Sequence, residues 1–320
     1  MPRRYRTSYS PGPRGPRNPN KQLVSAIVLV VVLSIAAYKE YEKYHHAVVV
    51  SHAPPTSNAV VTSTSNWLLG NPSNAGTDAN NYLLIKPYFV VSYNNQNGEP
   101  NWVSWRLTKD NLGDAPRRNK FSTDTTLPEF FHLVSEKDYS NSGFDRGHMC
   151  PHGDRTKNQE MSYATFVMSN VVPQTHQLNE MAWNMLELYC RQIAKKENAR
   201  LYITAGPAGS GGQGSFGFRK SFANNTVVVP SECWKVIVIV PDDGTEDLTD
   251  ITPATRVIAV VMPNTDKIGY EWQQFRVSPA DVETLTGYHF FTALPADVAA
   301  ALRKKIDREY IEPQERPEHF

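Results

Sequence analysis

Two long apolar runs late in the chain limit the folds that it can adopt. Both runs are rich in β-branched residues, and almost every position in residues 234–240 and 256–262 is hydrophobic. A strand with one face in water alternates apolar and polar residues, whereas a nearly continuous apolar run is typical of a strand buried on both faces. These runs therefore predict a central sheet that other elements cover on both sides.

The neighbouring segments predict a mixed fold with further strands and several helices. Short β-branched and aromatic runs between turn signals are typical of strands, and they occupy residues 82–85, 88–93, 102–107, 166–172, 201–205 and 227–229. Apolar residues near helical spacing predict a long helix over 177–197 and later helices over 280–286 and 296–308. The sequence therefore indicates an α+β body.

The first 66 residues differ in composition from this body. Residues 1–21 are rich in Pro, Arg and Gly, which predicts a disordered segment. Residues 22–38 are apolar, and residues 39–66 form a linker that ends in a stretch rich in Pro, Ser and Thr. The folded domain is predicted over 67–312, and a polar tail follows over 313–320.

The apolar segment at 22–38 predicts export of the body across a membrane. The run from Leu23 to Tyr38 would be about 24 Å long as a helix, which is short for a membrane span and long for a signal-peptide core. The basic residues before it predict that the N-terminus stays in the cytoplasm. We favour an uncleaved anchor in the cell membrane; the alternative is a secreted protein, cleaved near Ser34-Ile35-Ala36.

The charge of the body excludes a broad basic surface for nucleic acids. The formal net charge of the chain is +1, but the first 22 residues hold six basic residues and no acidic one. The rest has 27 basic and 32 acidic residues, a net charge of −5. Tight nucleic-acid binders usually carry a basic footprint, so any phosphate binding here must be local to a site.

Residues 145–151, Asp-Arg-Gly-His-Met-Cys-Pro, concentrate reactive side chains in one short stretch. Neutral His148 can accept a proton near pH 7, and Arg146 offers a planar fork for phosphate oxygens. Gly147 would allow a backbone bend that aims the histidine into a cleft. Asp145 would fix the tautomer of the ring or brace the loop. The combination predicts a catalytic site that acts on a phosphate.

A second cluster follows on the predicted long helix. Asn179, Trp183 and Glu187 are spaced i, i+4 and i+8, so Asn179 and Glu187 can face one cleft while Trp183 packs in the core. An amide oxygen suits a hard cation that keeps most of its waters, as magnesium does. Glu187 would accept hydrogen bonds from those waters, and Arg191 continues the spacing and could reach a phosphate.

The cysteines leave two further interpretations open. His148, Cys150 and His152 alternate and could bind zinc from one face of a strand, although Pro151 interrupts such a strand and no fourth ligand has a familiar spacing. Cys150, Cys190 and Cys233 fit no common metal or redox motif. An exported chain could join two of them in a disulfide, but we favour buried free thiols.

Taken together, these motifs resemble the DNA/RNA non-specific endonuclease family, the ββα-metal nucleases. The resemblance rests on Asp145-Arg146-Gly147-His148, on Asn170-Val171-Val172-Pro173-Gln174, and on Asn179 with Trp183, Leu186 and Glu187. It extends from Leu69 to Pro295. It implies a central, mostly antiparallel sheet flanked by helices, here preceded by a membrane helix and a tether.

The resemblance also implies an activity and a cofactor. The family's members are metal-dependent endonucleases that hydrolyse DNA and RNA through contacts with the backbone phosphates and leave 5′-phosphorylated products. It implies that His148 is the general base and that Asn179 is the protein ligand of Mg²⁺, with Mn²⁺ as an alternative. Glu187 would hold the water shell of the metal, and Asn170 would orient His148 or the ligand helix.

The remaining expected roles belong to charged side chains around the phosphate. Arg146 and Arg106 would stabilise the charge that develops on the phosphate, and Arg191 would add a further basic contact. Asp145 completes the set as the orienting carboxylate.

Two other functions stay open at this point. A catalytically silent protein could capture DNA at the cell surface, and binding without cleavage in Mg²⁺ would reveal it. A phosphodiesterase for small diesters would cleave a dinucleotide-like substrate as well as long DNA.

Overall fold

A computed structural model describes residues 65–244 and 247–312 of the chain. The predictions for the disordered segment 1–21, the membrane segment 22–38, nearly all of the linker 39–66 and the tail 313–320 concern residues outside these stretches. Among the helices in the described stretches, none combines the length and hydrophobicity that a bilayer crossing requires.

Thirteen strands and four α-helices make up the described part of the fold. The strands are β1 (Tyr82–Ile85), β2 (Val90–Asn94), β3 (Glu99–Leu107), β4 (Asp145–His148), β5 (Val171–Gln174), β6 (Ala199–Ala208), β7 (Gly212–Gly214), β8 (Gly217–Arg219), β9 (Ser221–Phe222), β10 (Val227–Val228), β11 (Glu232–Pro241), β12 (Arg256–Pro263) and β13 (Arg276–Val277). The helices are α1 (Gln159–Ala164), α2 (Asn184–Lys196), α3 (Pro279–Thr286) and α4 (Ala296–Arg303). A π-helical segment, Leu178–Trp183, leads directly into α2.

Seven of the strands form the central sheet, in the order β1-β2-β3-β6-β11-β12-β13. All neighbouring strands in it run antiparallel. The described part of the chain thus confirms the predicted α+β body with a central antiparallel sheet. The strands β4 and β5 pair with each other in a separate two-stranded ribbon.

Buried side chains cover both faces of the central sheet, as the apolar runs predict. In β11, Ile237 belongs to a cluster that includes Trp183 and Leu186 from the π-helical segment and α2. The adjacent Val238 belongs to a second cluster, on the other face, with side chains of α3 and α4. Both residues are fully buried. Two helical layers therefore hold the sheet between them, and α2 lies on the Ile237 side.

The region predicted as a strand over 166–172 differs in the structure. Met168–Asn170 forms a 3₁₀ turn, and the strand begins only at Val171 and continues through Pro173. Proline cannot donate to a central ladder, but a two-stranded ribbon has an open edge that tolerates it. The side chain of Asn170 donates hydrogen bonds to the backbone carbonyls of Cys150 and Thr165, which favours the turn over an extended conformation.

The last helix is shorter than predicted. The pattern over 296–308 predicts a helix to Arg308, whereas α4 ends at Arg303. The reason is a buried carboxylate further on: Asp307 accepts hydrogen bonds from Arg256 and Arg276, which lie on strands of the sheet. These ion pairs hold the chain after α4 against the sheet edge.

The two-sided burial of β11 predicts that neighbouring positions are equally sensitive to truncation. Ile237→Ala and Val238→Ala should each lower the free energy of unfolding by roughly 2–4 kcal/mol, because each leaves a cavity in a different core. Urea denaturation of the full chain measures this, with Ile85→Ala, at a site 49% exposed, as the mild control. A large effect at only one of the two positions would contradict the two-sided packing.

Candidate active site

A cavity of about 650 Å³ opens beside α2. Five of the eight predicted site residues line it together: Arg146, His148, Asn179, Glu187 and Arg191. They come from two parts of the chain, because β4 carries the first two and the π-helical segment with α2 carries the others. Along the chain, β4, β5 and α2 therefore form a ββα unit around the cavity.

Asn170 fixes the backbone next to His148. Its side chain is fully buried; Oδ1 accepts a hydrogen bond from the Cys150 amide at 2.9 Å, and Nδ2 donates to the Cys150 carbonyl at 2.9 Å. Nδ2 also donates to the carbonyl of Thr165. The residue two positions after His148 is thus held on both its amide and its carbonyl. The Cys150 thiol packs in the core on the α2 side of the sheet.

Gly147 is required for space rather than for a bend. The residue lies in the regular strand β4, and its φ lies outside the left-handed region. A Cβ atom at this position would come within 2.0 Å of Oε1 of Gln174. The prediction that Gly147 supplies a hinge is therefore wrong; a side chain there would collide with the partner strand.

His148 is enclosed by aromatic rings. Its ring centroid lies 4.9 Å from that of Phe121 and 4.8 Å from that of Phe166, which meets it edge-on. The side chain is 8% exposed. Its Nε2 atom has no hydrogen-bond partner among the described residues. Nε2 itself is buried, whereas the residue lines the cavity, and a neutral imidazole keeps one ring nitrogen that can accept a proton.

The surroundings of His148 keep it neutral. Burial, and then the positive charges of Arg117, His152 and Arg146, lower the pKa of His148 to about 3. The desolvated ring cannot easily carry a charge beside other cations. At neutral pH, His148 is therefore in the form that a general base requires.

Asp145 connects the two halves of the site. Its Oδ2 accepts a hydrogen bond from Nδ2 of Asn179 at 3.2 Å and lies 3.0 Å from Nδ1 of His176. The expected alternative in which Asp145 orients the ring of His148 does not fit this geometry. The carboxylate instead braces the strand β4 against the π-helical segment.

The amide of Asn179 is turned so that its oxygen remains available. Both of its hydrogen bonds use Nδ2, one to Asp145 and one to Glu180 at 2.9 Å. Asn179 lies in the π-helical segment, where the regular helical spacing predicted for this cluster does not hold. π-Helical turns inside helices frequently mark functional sites. The wider turn still brings Asn179 and Glu187 to the same cavity.

Glu187 is a nearly buried carboxylate between two cations. Its Oε1 lies 3.6 Å from Nζ of Lys235, and its Oε2 lies 3.8 Å from the guanidinium of Arg191. Burial raises the pKa of Glu187 to about 7, although both cations oppose this rise. Arg191 also donates to Asp154 at 3.0 Å. Arg191 therefore lies at the cavity wall, where a phosphate contact is predicted, but its guanidinium is already paired with Glu187 and Asp154.

Arg106 does not line the cavity. Side chains alternate along β3, and Trp105 belongs to the cluster on the α2 side, so Arg106 points to the opposite face. There its charge acts on Tyr202, which belongs to the cluster of α3 and α4. The predicted role of Arg106 at the phosphate is therefore corrected by the structure.

Arg117 is a cavity residue that the sequence motifs did not reveal. It lines the cavity, and its guanidinium lies 5.4 Å from the ring centroid of Phe166, next to His148. The available signal was the basic run of Arg117, Arg118 and Lys120 in a body of negative net charge. This run lies in a loop, and a loop sequence has no helical or strand periodicity from which its position beside His148 could be predicted.

The donor groups fit a hydrated hard cation better than zinc. Among the described residues, no three His, Cys, Asp or Glu side chains are grouped as a metal site. Cys150, a ligand in the zinc alternative, is buried in the core, and burial raises the pKa of its thiol to about 12. Asn179 and Glu187 present oxygen atoms to one cavity, which suits a cation such as Mg²⁺ that keeps several waters.

The predicted state of the cysteines is confirmed. Cys150, Cys190 and Cys233 are all free and buried.

Comparisons with known proteins agree with this geometry. The family model described as DNA/RNA non-specific endonuclease matches residues 71–297. A nuclease of Nostoc sp. is 39% identical over 262 residues, which cover 81% of this chain and 92% of that protein. The mitochondrial nuclease EXOG of Danio rerio is 35% identical over 214 residues, 64% of this chain and 59% of that protein.

A solved structure shows the same fold. The crystal structure of the EndoG/EndoGI complex contains a chain that is 27% identical, with a TM-score of 0.58. The match covers 73% of this chain and 94% of the other. The central antiparallel sheet and its few helices are therefore an EndoG-like nuclease fold.

The low pKa of His148 predicts that this residue destabilises the fold in acid. The unfolded chain binds a proton near pH 6.5, whereas the folded chain does so only near pH 3. Lowering the pH from 7.5 to 5 should thus favour unfolding by about 2 kcal/mol through this residue alone. In His148→Gln the loss of stability over this range should be smaller by that amount, as measured by urea denaturation at both pH values.

His132→Gln, at an exposed site, is the matched control and should follow the wild type. Equal pH dependence of His148→Gln and the wild type would show that the ring is not held neutral.

Proposed function

This chain belongs to the DNA/RNA non-specific endonuclease family, and we propose that it is a metal-dependent endonuclease that hydrolyses phosphodiester bonds in both DNA and RNA. One observation supports this proposal above all. A single cavity joins a neutral, unpartnered histidine to an amide oxygen donor and to the cationic side chains of Arg117 and Arg146.

His148 would act as the general base. A water molecule in line with the scissile bond would give its proton to the unprotonated nitrogen of the imidazole as it attacks phosphorus. Since the ring is neutral at pH 7, no prior deprotonation is needed. General base catalysis of this kind typically contributes ~10²–10⁴-fold to the rate. Asn170 would keep the ring in place through its two bonds to the Cys150 backbone.

Asn179 and Glu187 would hold a divalent cation, with Mg²⁺ as the expected ion. The cation, when bound, would stabilise the negative charge on the phosphate and on the leaving 3′ oxygen. Asn179 would bind it through Oδ1, because Nδ2 is committed to Asp145 and Glu180. Glu187 would accept hydrogen bonds from waters around the ion.

The cationic side chains would bind the phosphate itself. Arg146 packs over the ring of Phe121, with 5.2 Å between its guanidinium carbon and the ring centroid, and is 3.7 Å from Glu136. Arg117 lines the same cavity and packs over the ring of Phe166. Contacts limited to backbone phosphates carry no sequence information. The same contacts would serve DNA and RNA, and cleavage of the bond from phosphorus to the 3′ oxygen would leave a 5′-phosphate and a 3′-hydroxyl.

The location of the enzyme is a separate proposal. The apolar segment 22–38 and its basic flank support an uncleaved anchor in the cell membrane, with the nuclease domain outside the cytoplasm. Cell fractionation followed by N-terminal sequencing distinguishes this arrangement from cleavage and secretion.

Substitution of the two central residues tests the mechanism. His148→Ala should lower kcat on plasmid DNA and on RNA by ~10²–10⁴-fold, because water loses its proton acceptor. Asn179→Ala should cause a similar loss at low Mg²⁺, since the cation loses its protein ligand. EDTA should abolish wild-type cleavage, and His132→Ala should retain it.

Full activity of both variants would refute these roles. Binding of DNA in Mg²⁺ without cleavage by the wild type would identify a silent binder instead, and equal activity on a dinucleotide would indicate a phosphodiesterase for small diesters.

Arg117 and Arg106 give an internally controlled comparison, because one lines the cavity and the other does not. Arg117→Ala should lower kcat/KM by roughly 10²-fold, because a cation at the developing phosphate charge is lost. Arg106→Ala should stay within about threefold of the wild type, because its side chain lies on the opposite face of β3. Steady-state cleavage of a defined oligonucleotide measures both values, and the reverse ranking would refute the geometric assignment.

A further inference from the structure

A lysine lies at an unexpected place in the central sheet. Lys235 is on β11, is 1% exposed, and occupies a strand in which eight consecutive residues are buried. Removing an ammonium group from water costs several kcal/mol unless partners compensate for the loss. A hydrophobic residue of similar volume would fill such a position without this desolvation penalty. The strand alone gives no reason for a cation at this point.

The side chain of Lys235 points towards the active-site layer. Alternation along β11 places it on the same face as Ile237, which is the face covered by α2. Its Nζ lies 4.0 Å from the ring centroid of Trp183 and 3.6 Å from Oε1 of Glu187. The ammonium is therefore held between an aromatic face and a carboxylate that lines the cavity.

The opposite side of Glu187 is also fixed. Its Oε2 faces Arg191, and Arg191 donates to Asp154, which is itself buried. Asp154 accepts a further hydrogen bond from the indole of Trp105 at 2.9 Å. Two cations and two carboxylates thus form a chain beneath the cavity, and Glu187 is the link between Lys235 and Arg191.

We propose that Lys235 is a positioning residue for the nuclease reaction, which fixes the carboxylate of Glu187 where it can hold the water shell of the divalent cation. Lys235 is absent from the cavity lining, so it would touch neither the substrate nor the cation and would act only through Glu187. The inference rests on the proposed function. The buried charge of Lys235 is explained by its position behind Glu187, whose carboxylate must be oriented towards the water shell of the cation.

Metal binding tests this proposal without requiring catalysis. Titration calorimetry of the full chain with Mn²⁺, in the absence of nucleic acid, would compare the wild type with Lys235→Met, Glu187→Gln and the double variant. Removing an outer partner of a metal site typically costs ~10–100-fold in affinity. Lys235→Met should weaken Mn²⁺ binding by that factor, and the double variant should bind no more weakly than Glu187→Gln.

Cleavage assays provide the second measurement. Lys235→Met should lower kcat and raise the Mg²⁺ concentration for half-maximal activity, while KM for DNA changes by less than about threefold, because Lys235 does not reach the substrate. Ile237→Met, two residues along on the same face of β11, is the matched control for altered packing. It should leave the metal dependence unchanged.

Several outcomes would overturn the proposal. Wild-type Mn²⁺ affinity in Lys235→Met would do so, as would an additional loss of tenfold or more in the double variant relative to Glu187→Gln. The second comparison stays decisive if Lys235→Met does not fold, because the double variant leaves neither the lysine nor the Glu187 carboxylate buried without its partner. A wild type that binds Mn²⁺ but cuts nothing would refute the proposed function, while the variant affinities would still decide the role of Lys235.

Discussion

Burial of the central sheet on both faces is the constraint on which the site depends. Because β11 and its neighbours offer no face to water, α2 has to pack on one side and the pair α3 and α4 on the other. The position of α2 against the sheet sets the direction of Glu187 and of the π-helical segment that carries Asn179. The β4–β5 ribbon brings His148 to the same cavity, and the carboxylate of Asp145 links the two parts.

The polar groups inside this apolar layer orient the reactive ones. Asn170 uses its amide to hold the chain after His148, and Asp154 uses its two oxygens to hold Trp105 and Arg191. Buried polar groups are stable only when they are paired, so each of these contacts also restricts the position of its neighbour. By contrast, Nε2 of His148 has no partner among the described residues. Nε of Arg146 and Nε2 of His152, on residues that line the same cavity, also lack partners among the described residues. A group of unsatisfied polar atoms at one cavity is where a ligand or an ordered water is expected.

The sequence allowed prediction of the elements and residues whose signal is local. Continuous apolar runs predicted the buried strands, and the chemistry of Asp145–His148 and of Asn179 with Glu187 identified residues that line or brace one cavity. Errors arose where distant contacts decide. The helix after residue 296 ends early because Asp307 pairs with Arg256 and Arg276. Gly147 is required by Gln174 on the partner strand. Arg106 was assigned to the phosphate from its sequence neighbours, whereas strand alternation turns it away and a loop brings Arg117 to the cavity instead.

The central claim is that His148 and Asn179, from two separate elements, act on one phosphate. A crystal structure of the His148→Ala variant with Mn²⁺ and a short DNA duplex tests this most directly, because the anomalous signal locates the metal. The account predicts Mn²⁺ bound directly to Oδ1 of Asn179, with the scissile phosphate between the metal and the site of the missing imidazole. Mn²⁺ bound away from Asn179, or a phosphate outside the cavity that Arg117 and Arg146 line, would contradict it.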